Sequence, residues 1–141
     1  MYLEETIMSW ILIADDHKIT CEGLALALEA KGHSTQIVLN GESAIEAVKE
    51  HFFDLLIVDI RMPKRNGIEV LEAVKAISPE TIVIMMTAYG TIDVAVEAMQ
   101  KGAIDFITKP YTLEQIELKV ERAFQQRRTR MENQYLREEL E

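Results

Sequence analysis

Five short apolar runs punctuate the chain: Trp10 to Ala14, Thr35 to Leu39, Leu55 to Val58, Thr81 to Met86 and Asp105 to Thr108. They are mostly β-branched or aliphatic and mostly lack alternation, the pattern of strands covered on both faces. Between and after them apolar residues return at helical spacing: Ile19, Leu24, Ala27 and Leu28; Ala44, Ile45 and Val48; Ile68, Leu71, Val74 and Ile77; Ile92, Val96 and Met99; Leu113, Ile116, Val120 and Phe124. Strand and helix therefore alternate five times, which predicts an α/β fold: a five-stranded, doubly wound parallel sheet with helices on both faces and right-handed crossovers. The punctuation agrees. Gly32 and Gly102 fall just past helix patterns, where a residue without Cβ closes the last turn. Asn40 is placed to cap the second helix, and Thr112 with Gln115 forms a capping box for the fifth.

That fifth helix outruns the pattern. From Leu113 to Glu141 the chain has neither Gly nor Pro, so it reads as one helix whose second half juts out. Phe124, Met131, Tyr135 and Leu136 sketch a heptad among mixed charges, leaving a solvated tail and a coiled coil between two copies both open. The expected division is an N-terminal extension over 1–9, a folded domain over 10–125 and a linker helix over 126–141. At 141 residues there is room for one core, large enough to stand without disulfides or a structural metal. The net charge of −9 opposes attraction to nucleic acid or an anionic membrane. Residues 113–141 carry six basic and seven acidic groups, so nearly all of that charge lies in the first 112 residues. Cys21 is the only cysteine, as suits a reducing cytoplasm. No apolar run approaches the ~20 residues of a membrane helix, and residues 1–9 lack the basic start of a secretory signal.

In an open parallel sheet, ligands bind at the carboxyl ends of the strands, where the strand order reverses. There the first strand is followed by Asp15 and Asp16, the third by Asp59, the fourth by Thr87, and the fifth by Lys109 and Pro110. Carboxylates converging within about 5 Å repel by roughly 3 kcal/mol per pair at an effective dielectric near 20. A divalent cation removes that cost, and such oxygen donors select Mg2+ or Mn2+. Asp59, at the tip of the central run, is then placed to attack a phosphoryl group, with Thr87 and Lys109 placed to bind its oxygens.

These residues sit in Ile-Leu-Ile-Ala-Asp-Asp (11–16), Leu-Leu-Ile-Val-Asp-Ile-Arg-Met-Pro (55–63), Asn66-Gly67, Met-Thr-Ala-Tyr-Gly (86–90) and Gly-Ala-Ile-Asp-Phe-Ile-Thr-Lys-Pro-Tyr (102–111). The set resembles the receiver domain of two-component response regulators over about residues 9–125. The resemblance implies a (βα)5 flavodoxin-like fold and a sensor histidine kinase that phosphorylates Asp59. It also implies Mg2+ held by Asp16, Asp59 and the Arg61 carbonyl, with Asp15 acting through water. Further implications are a Thr87 that moves toward the phosphoryl group, a Lys109 that pairs with it, a Phe106 that turns inward, and a cis Lys109–Pro110 bond. Phe106 is Tyr in many relatives, so only the steric half of that switch is expected. Arg61 and Tyr89 are bulky where the family modulates water access, so slow hydrolysis is expected. Thr-Ala-Tyr-Gly-Thr (87–91), residues 98–106 and the Arg-rich helix from Arg127 to Leu140 are similar to receivers of sigma-54-dependent activators. No Gly-rich loop ending in Gly-Lys-Ser or Gly-Lys-Thr occurs, so the chain reads as a receiver with its linker helix or as a single-domain regulator.

Two other classes stay open: a Mg2+-dependent phosphohydrolase, which lacks an Asp-x-Asp pair at Asp59, and a phosphate-independent interaction module. His17, His33 and His51 are expected at the surface, with His17 nearest the acidic residues. Cys21 reads as an inert thiol, Met85 and Met86 as core, Trp10 as packed on the fifth helix or the extension, and Lys64 and Arg65 as solvated loop charges. Output is expected through self-association by the fourth and fifth helices or by the C-terminal helix.

Overall fold

The computed structural model describes residues 9–88 and 92–140. Most of the expected extension lies outside them, as do Tyr89, Gly90 and Thr91. Within the described residues the chain runs β1 (Trp10–Ala14), α1 (Lys18–Ala30), β2 (Ser34–Val38), α2 (Gly41–Glu50), β3 (Leu55–Asp59), α3 (Gly67–Ile77), β4 (Ile82–Thr87), α4 (Ile92–Gln100), β5 (Asp105–Thr108) and α5 (Leu113–Leu140). All strand pairs are parallel and the order is β2-β1-β3-β4-β5.

Period-two alternation divides the strands between two cores. Ile11, Ile13, Leu55, Ile57, Ile82, Ile84 and Met86 meet α1 and α5. Leu12, Ala14, Leu56, Val58, Val83 and Met85 meet α2, α3 and α4. The edge strand β2 is half-buried throughout. Asn40 caps α2 by accepting from the Ser43 N–H at 2.8 Å, and Thr112 and Gln115 exchange the two bonds of the expected capping box.

Three helix faces differ from the apolar spacing. In α1 the buried stripe is Cys21, Leu24, Ala25 and Leu28, while Ile19 is 84% exposed. In α4 the inward residues are Ala95 and Ala98, with Val94 partly buried against the same core, and Val96 and Met99 face outward. Small side chains let that helix lie close to the sheet, so the bulkier pair is displaced to the surface. In α3, Ile77 is exposed and Val70 takes the core position.

Trp10 is half-exposed beside Gln36, His51 and Phe52 rather than on α5. The segment before β3 reaches it first: the Asp54 N–H donates to the Trp10 carbonyl, and the Trp10 N–H donates to Asp54 Oδ2 at 2.8 Å. The same Asp54 anchors α5 through Arg127, 3.0 Å away. From Arg128 to Glu139 every side chain of α5 is exposed.

His33, expected at the surface, is half-buried and stacked on Phe124 with ring centroids 5.6 Å apart. Burial pushes its pKa down, against the opposing charges of Asp54 and Glu121. A histidine whose folded pKa is depressed contributes stability that is intact above the unfolded value of about 6.5 and is lost as the pH falls below it. In thermal melts from about pH 8 to about pH 5, His33→Phe is therefore expected to lose less stability on acidification than the parent. Parallel curves would contradict this.

Candidate functional site

The sheet order reverses beside β1, so the crevice at its carboxyl end is flanked by the residues that end β1 and β3. Asp15 and Asp16 stand on one side and Asp59 on the other. One ligand atom from each of Asp15, Asp16, His17 and Asp59 lies within 4.8 Å of the others. Asp15 and Asp59 are buried, at 1% and 6% exposure, while Asp16 faces solvent. The Asp pair does not cap α1. His17 occupies the N-cap position without a side-chain capping bond, and the acids turn into the crevice.

Lys109 joins the two buried carboxylates. Its Nζ is 3.0 Å from Asp15 Oδ2 and 2.6 Å from Asp59 Oδ2. The remaining oxygens have separate partners. The Arg61 N–H donates to Asp59 Oδ1 at 3.1 Å. The His17 N–H donates to Asp15 Oδ1, also at 3.1 Å. The His17 ring Nδ1 lies 3.1 Å from Asp15 Oδ1 and 3.2 Å from Asp16 Oδ1. His17 is thus a surface residue, as expected, but one built into the acidic cluster. The available signal was its place directly after the Asp pair, at the mouth of a helix.

These contacts divide the two buried acids electrostatically. Burial pushes Asp59 above the usual carboxylate range, and the ammonium of Lys109 and the Arg61 N–H only partly offset it. Burial acts on Asp15 in the same direction, but the His17 N–H, Lys109 and the His17 ring together bring it below its ordinary value. Lys109 loses solvation by burial yet is held above its ordinary range by both carboxylates. Burial also pushes the Cys21 thiol up to about 11, consistent with an inert group; it sits below the site, with Sγ 3.4 Å from the Asp15 carbonyl.

Thr87 is buried at the tip of β4, one position past Met86, the register partner of Asp59. Its carbonyl accepts from the Lys109 N–H at 2.7 Å, which ties the β4 tip to the backbone that presents the ammonium. The Lys109–Pro110 bond is cis. Phe106 pairs with Met85 on β5 and is half-buried against the α2–α4 face. Lys119 Nζ stands 5.9 Å from its ring centroid and pairs with Asp105 at 3.0 Å.

The loop after β3 closes tightly under Asp59. The Gly67 N–H donates to the Ile60 carbonyl at 2.7 Å, and Asn66 and Glu69 complete a capping box that starts α3. A Cβ at Gly67 would overlap the Asp59 carbonyl and Ile60 Cα, so no larger residue allows this return. Lys64 and Arg65 hold positive φ values of 63° and 144°, a strained path for side chains with Cβ. Both side chains are exposed.

A family model described as the response regulator receiver domain matches residues 11–121. The chain belongs to that family. Among curated proteins this receiver is 39% identical over 113 residues to the transcriptional regulatory protein ZraR of Klebsiella oxytoca, covering 80% of the chain and 26% of that protein. It is 35% identical over 135 residues to the regulatory protein AtoC of Escherichia coli strain K12, covering 96% and 29%. Its structure superposes on NtrX from Brucella abortus with a TM-score of 0.85 and 30% identity, over 92% of the chain and 30% of that one. A CheY-like receiver from Methanospirillum hungatei JF-1 matches with a TM-score of 0.83 and 25% identity, over 87% and 98%. The receiver therefore spans between a quarter and a third of the length of these curated relatives.

Removing one partner of a buried ion pair leaves an uncompensated charge. Lys109→Met is expected to destabilise the receiver by about 2 to 4 kcal/mol in chemical denaturation at neutral pH with chelator present. Asp59→Asn is expected to be neutral or stabilising under the same conditions. The raised folded pKa of Asp59 means that stability falls as the pH rises through that window, and Asn removes the penalty. An Asp59→Asn protein clearly less stable than its parent would refute this electrostatic account.

Proposed function

We propose that this receiver accepts a phosphoryl group on Asp59 from a sensor histidine kinase. The observation that carries the reading is the desolvated Asp59 carboxylate, joined to Asp15 through Lys109 at the strand tips. A carboxylate stripped of water is a stronger nucleophile. One Asp59 oxygen forms the new bond to phosphorus as the bond from phosphorus to the donor's imidazole nitrogen breaks, its electron pair leaving with the ring. The transition state spreads charge over three oxygens. Lys109 lies within reach of that charge and Thr87 supplies a hydroxyl from the neighbouring strand tip.

The acidic residues suit a hard divalent cation. Three carboxylates exceed the one ammonium between them, and their oxygens converge. Asp16, Asp59 and the Arg61 carbonyl would hold Mg2+ or Mn2+, with Asp15 reaching it through water. When bound, the ion neutralises charge on the reacting oxygens. Arg61 lies on the exposed rim, where its side chain restricts water and slows hydrolysis. The acceptor turns over once per phosphoryl group and is not a phosphohydrolase.

Phosphorylation shifts a population: Thr87 moves toward the phosphoryl group and Phe106 fills the space behind it. Val96, Met99 and Leu118 are exposed on α4 and α5, and they supply an apolar face on which a second copy associates. Met131, Tyr135 and Leu136 offer α5 beyond the receiver, 126–141, as a second route. The receiver proper is 10–125. ZraR is a transcriptional regulatory protein of which the chain spans only a part, in keeping with control of sigma-54-dependent transcription through an output domain. With a net charge of −9 this domain itself makes no nucleic-acid contact. No described helix is long and apolar enough to cross a membrane, in keeping with a cytoplasmic, membrane-free role.

Treated with acetyl phosphate and Mg2+, the receiver is expected to gain the mass of a single phosphoryl group, and Asp59→Asn to gain none. Multiple turnover of small phosphomonoesters would favour the hydrolase reading, and an unchanged mass the interaction module. Sedimentation with Mg2+ and beryllofluoride is expected to show a larger assembly than without; Val96→Asp with Met99→Asp abolishes the difference. An identical sedimentation coefficient in both conditions would remove the self-association route.

A further inference from the structure

The crevice holds two kinds of donor. Asp16, Asp59 and the Arg61 carbonyl supply oxygen, and the ring of His17 supplies nitrogen. One nitrogen of that ring lies within 4.8 Å of a carboxylate oxygen from each of Asp15, Asp16 and Asp59. Its Nδ1 is 3.1 Å from Asp15 Oδ1 and 3.2 Å from Asp16 Oδ1. Neighbouring donors around a six-coordinate cation with bonds of about 2.1 Å stand about 3 Å apart. Nδ1 and Asp16 Oδ1 therefore already have the separation of two donors to one ion.

The local fold turns the ring this way. His17 occupies the N-cap position of α1 in an extended conformation, where Ser, Thr, Asp or Asn is usual, and makes no side-chain capping bond. Its backbone is fixed on both sides: the N–H donates to Asp15 Oδ1 at 3.1 Å, and the carbonyl accepts from the Cys21 N–H. The side chain is 68% exposed, so neither capping nor core packing accounts for its direction. It stands on the open side of the acids, where an ion entering from solvent would meet it.

We propose that His17 is a further metal ligand, which makes this crevice favour a divalent transition cation such as Mn2+ over Mg2+. The inference rests on Asp16 and Asp59 holding the cation, as proposed above. Those oxygens serve either ion, but Mg2+ keeps water in preference to a ring nitrogen. Transition cations accept imidazole, with affinity rising from Mn2+ to Co2+. Asp15 keeps its contact through water, positioned by the His17 N–H and by Lys109.

The test titrates Mg2+, Mn2+ and Co2+ separately into the parent and His17→Ala at about pH 8, where an imidazole lone pair is available. The variant is expected to lose about tenfold in affinity for Co2+, less for Mn2+ and under about twofold for Mg2+. Pulsed electron paramagnetic resonance of the Mn2+ protein is expected to show modulation from a directly bound nitrogen, absent in His17→Ala. A histidine acting only by its charge or its hydrogen bonds would shift all three affinities alike and give no nitrogen modulation, and that result overturns the proposal. So do equal affinities in variant and parent. If the parent binds none of the ions, or Asp59→Asn binds them as the parent does, the cation site of the receiver reading fails and this inference with it. Binding that depends on Asp59 but shows no nitrogen modulation removes this inference alone.

Discussion

One ammonium between two buried carboxylates sets the character of the molecule. Without Lys109, Asp15 and Asp59 would face each other in a low-dielectric crevice, and neither could stay ionised cheaply. With it, each carboxylate has a cationic partner, although burial still holds Asp59 above the usual carboxylate range. The arrangement leaves Asp59 beside its cation in the protein rather than in bulk water. Any change of charge at Asp59 shifts the balance around that one cation, because Lys109 is shared with Asp15.

The sheet exists to hold these groups together. Asp15 and Asp59 stand at the tips of neighbouring strands, and Lys109 arrives from β5, two strands beyond β3. Alternation buries one side of every central strand against α1 and α5 and the other against α2, α3 and α4, leaving the tips as the place where polar side chains gather. Tight backbone returns keep them in place. Gly67 lets the loop after β3 pass against the Asp59 carbonyl, and the Thr87 carbonyl holds the chain at Lys109.

Away from the crevice, the helices divide into anchored and free surfaces. α4 sets Ala95 and Ala98 onto the sheet with Val94 partly buried beside them, and shows Val96 and Met99 to solvent. α5 is pinned near its middle by Arg127, Asp54 and the Phe124–His33 stack, and beyond it Arg130, Met131 and Gln134 still line a groove with Lys75 and Pro79.

Local chemistry was enough to determine the succession of elements, the caps at Asn40 and Thr112, the turns at Gly32 and Gly102, and the acids and cation at the strand ends. Each depends on residues a few positions apart or on the two helix and strand periods, which any linear reading contains. Which face of α1 and α4 is buried was not legible, because Ile19, Val96 and Met99 are as apolar as the residues inside and only the closeness of the sheet excludes them. Nor was the link of His17 to Asp15 or the seat of Trp10 against Phe52. Those depend on how far apart in space two distant segments come to rest, a quantity that only the packed chain decides.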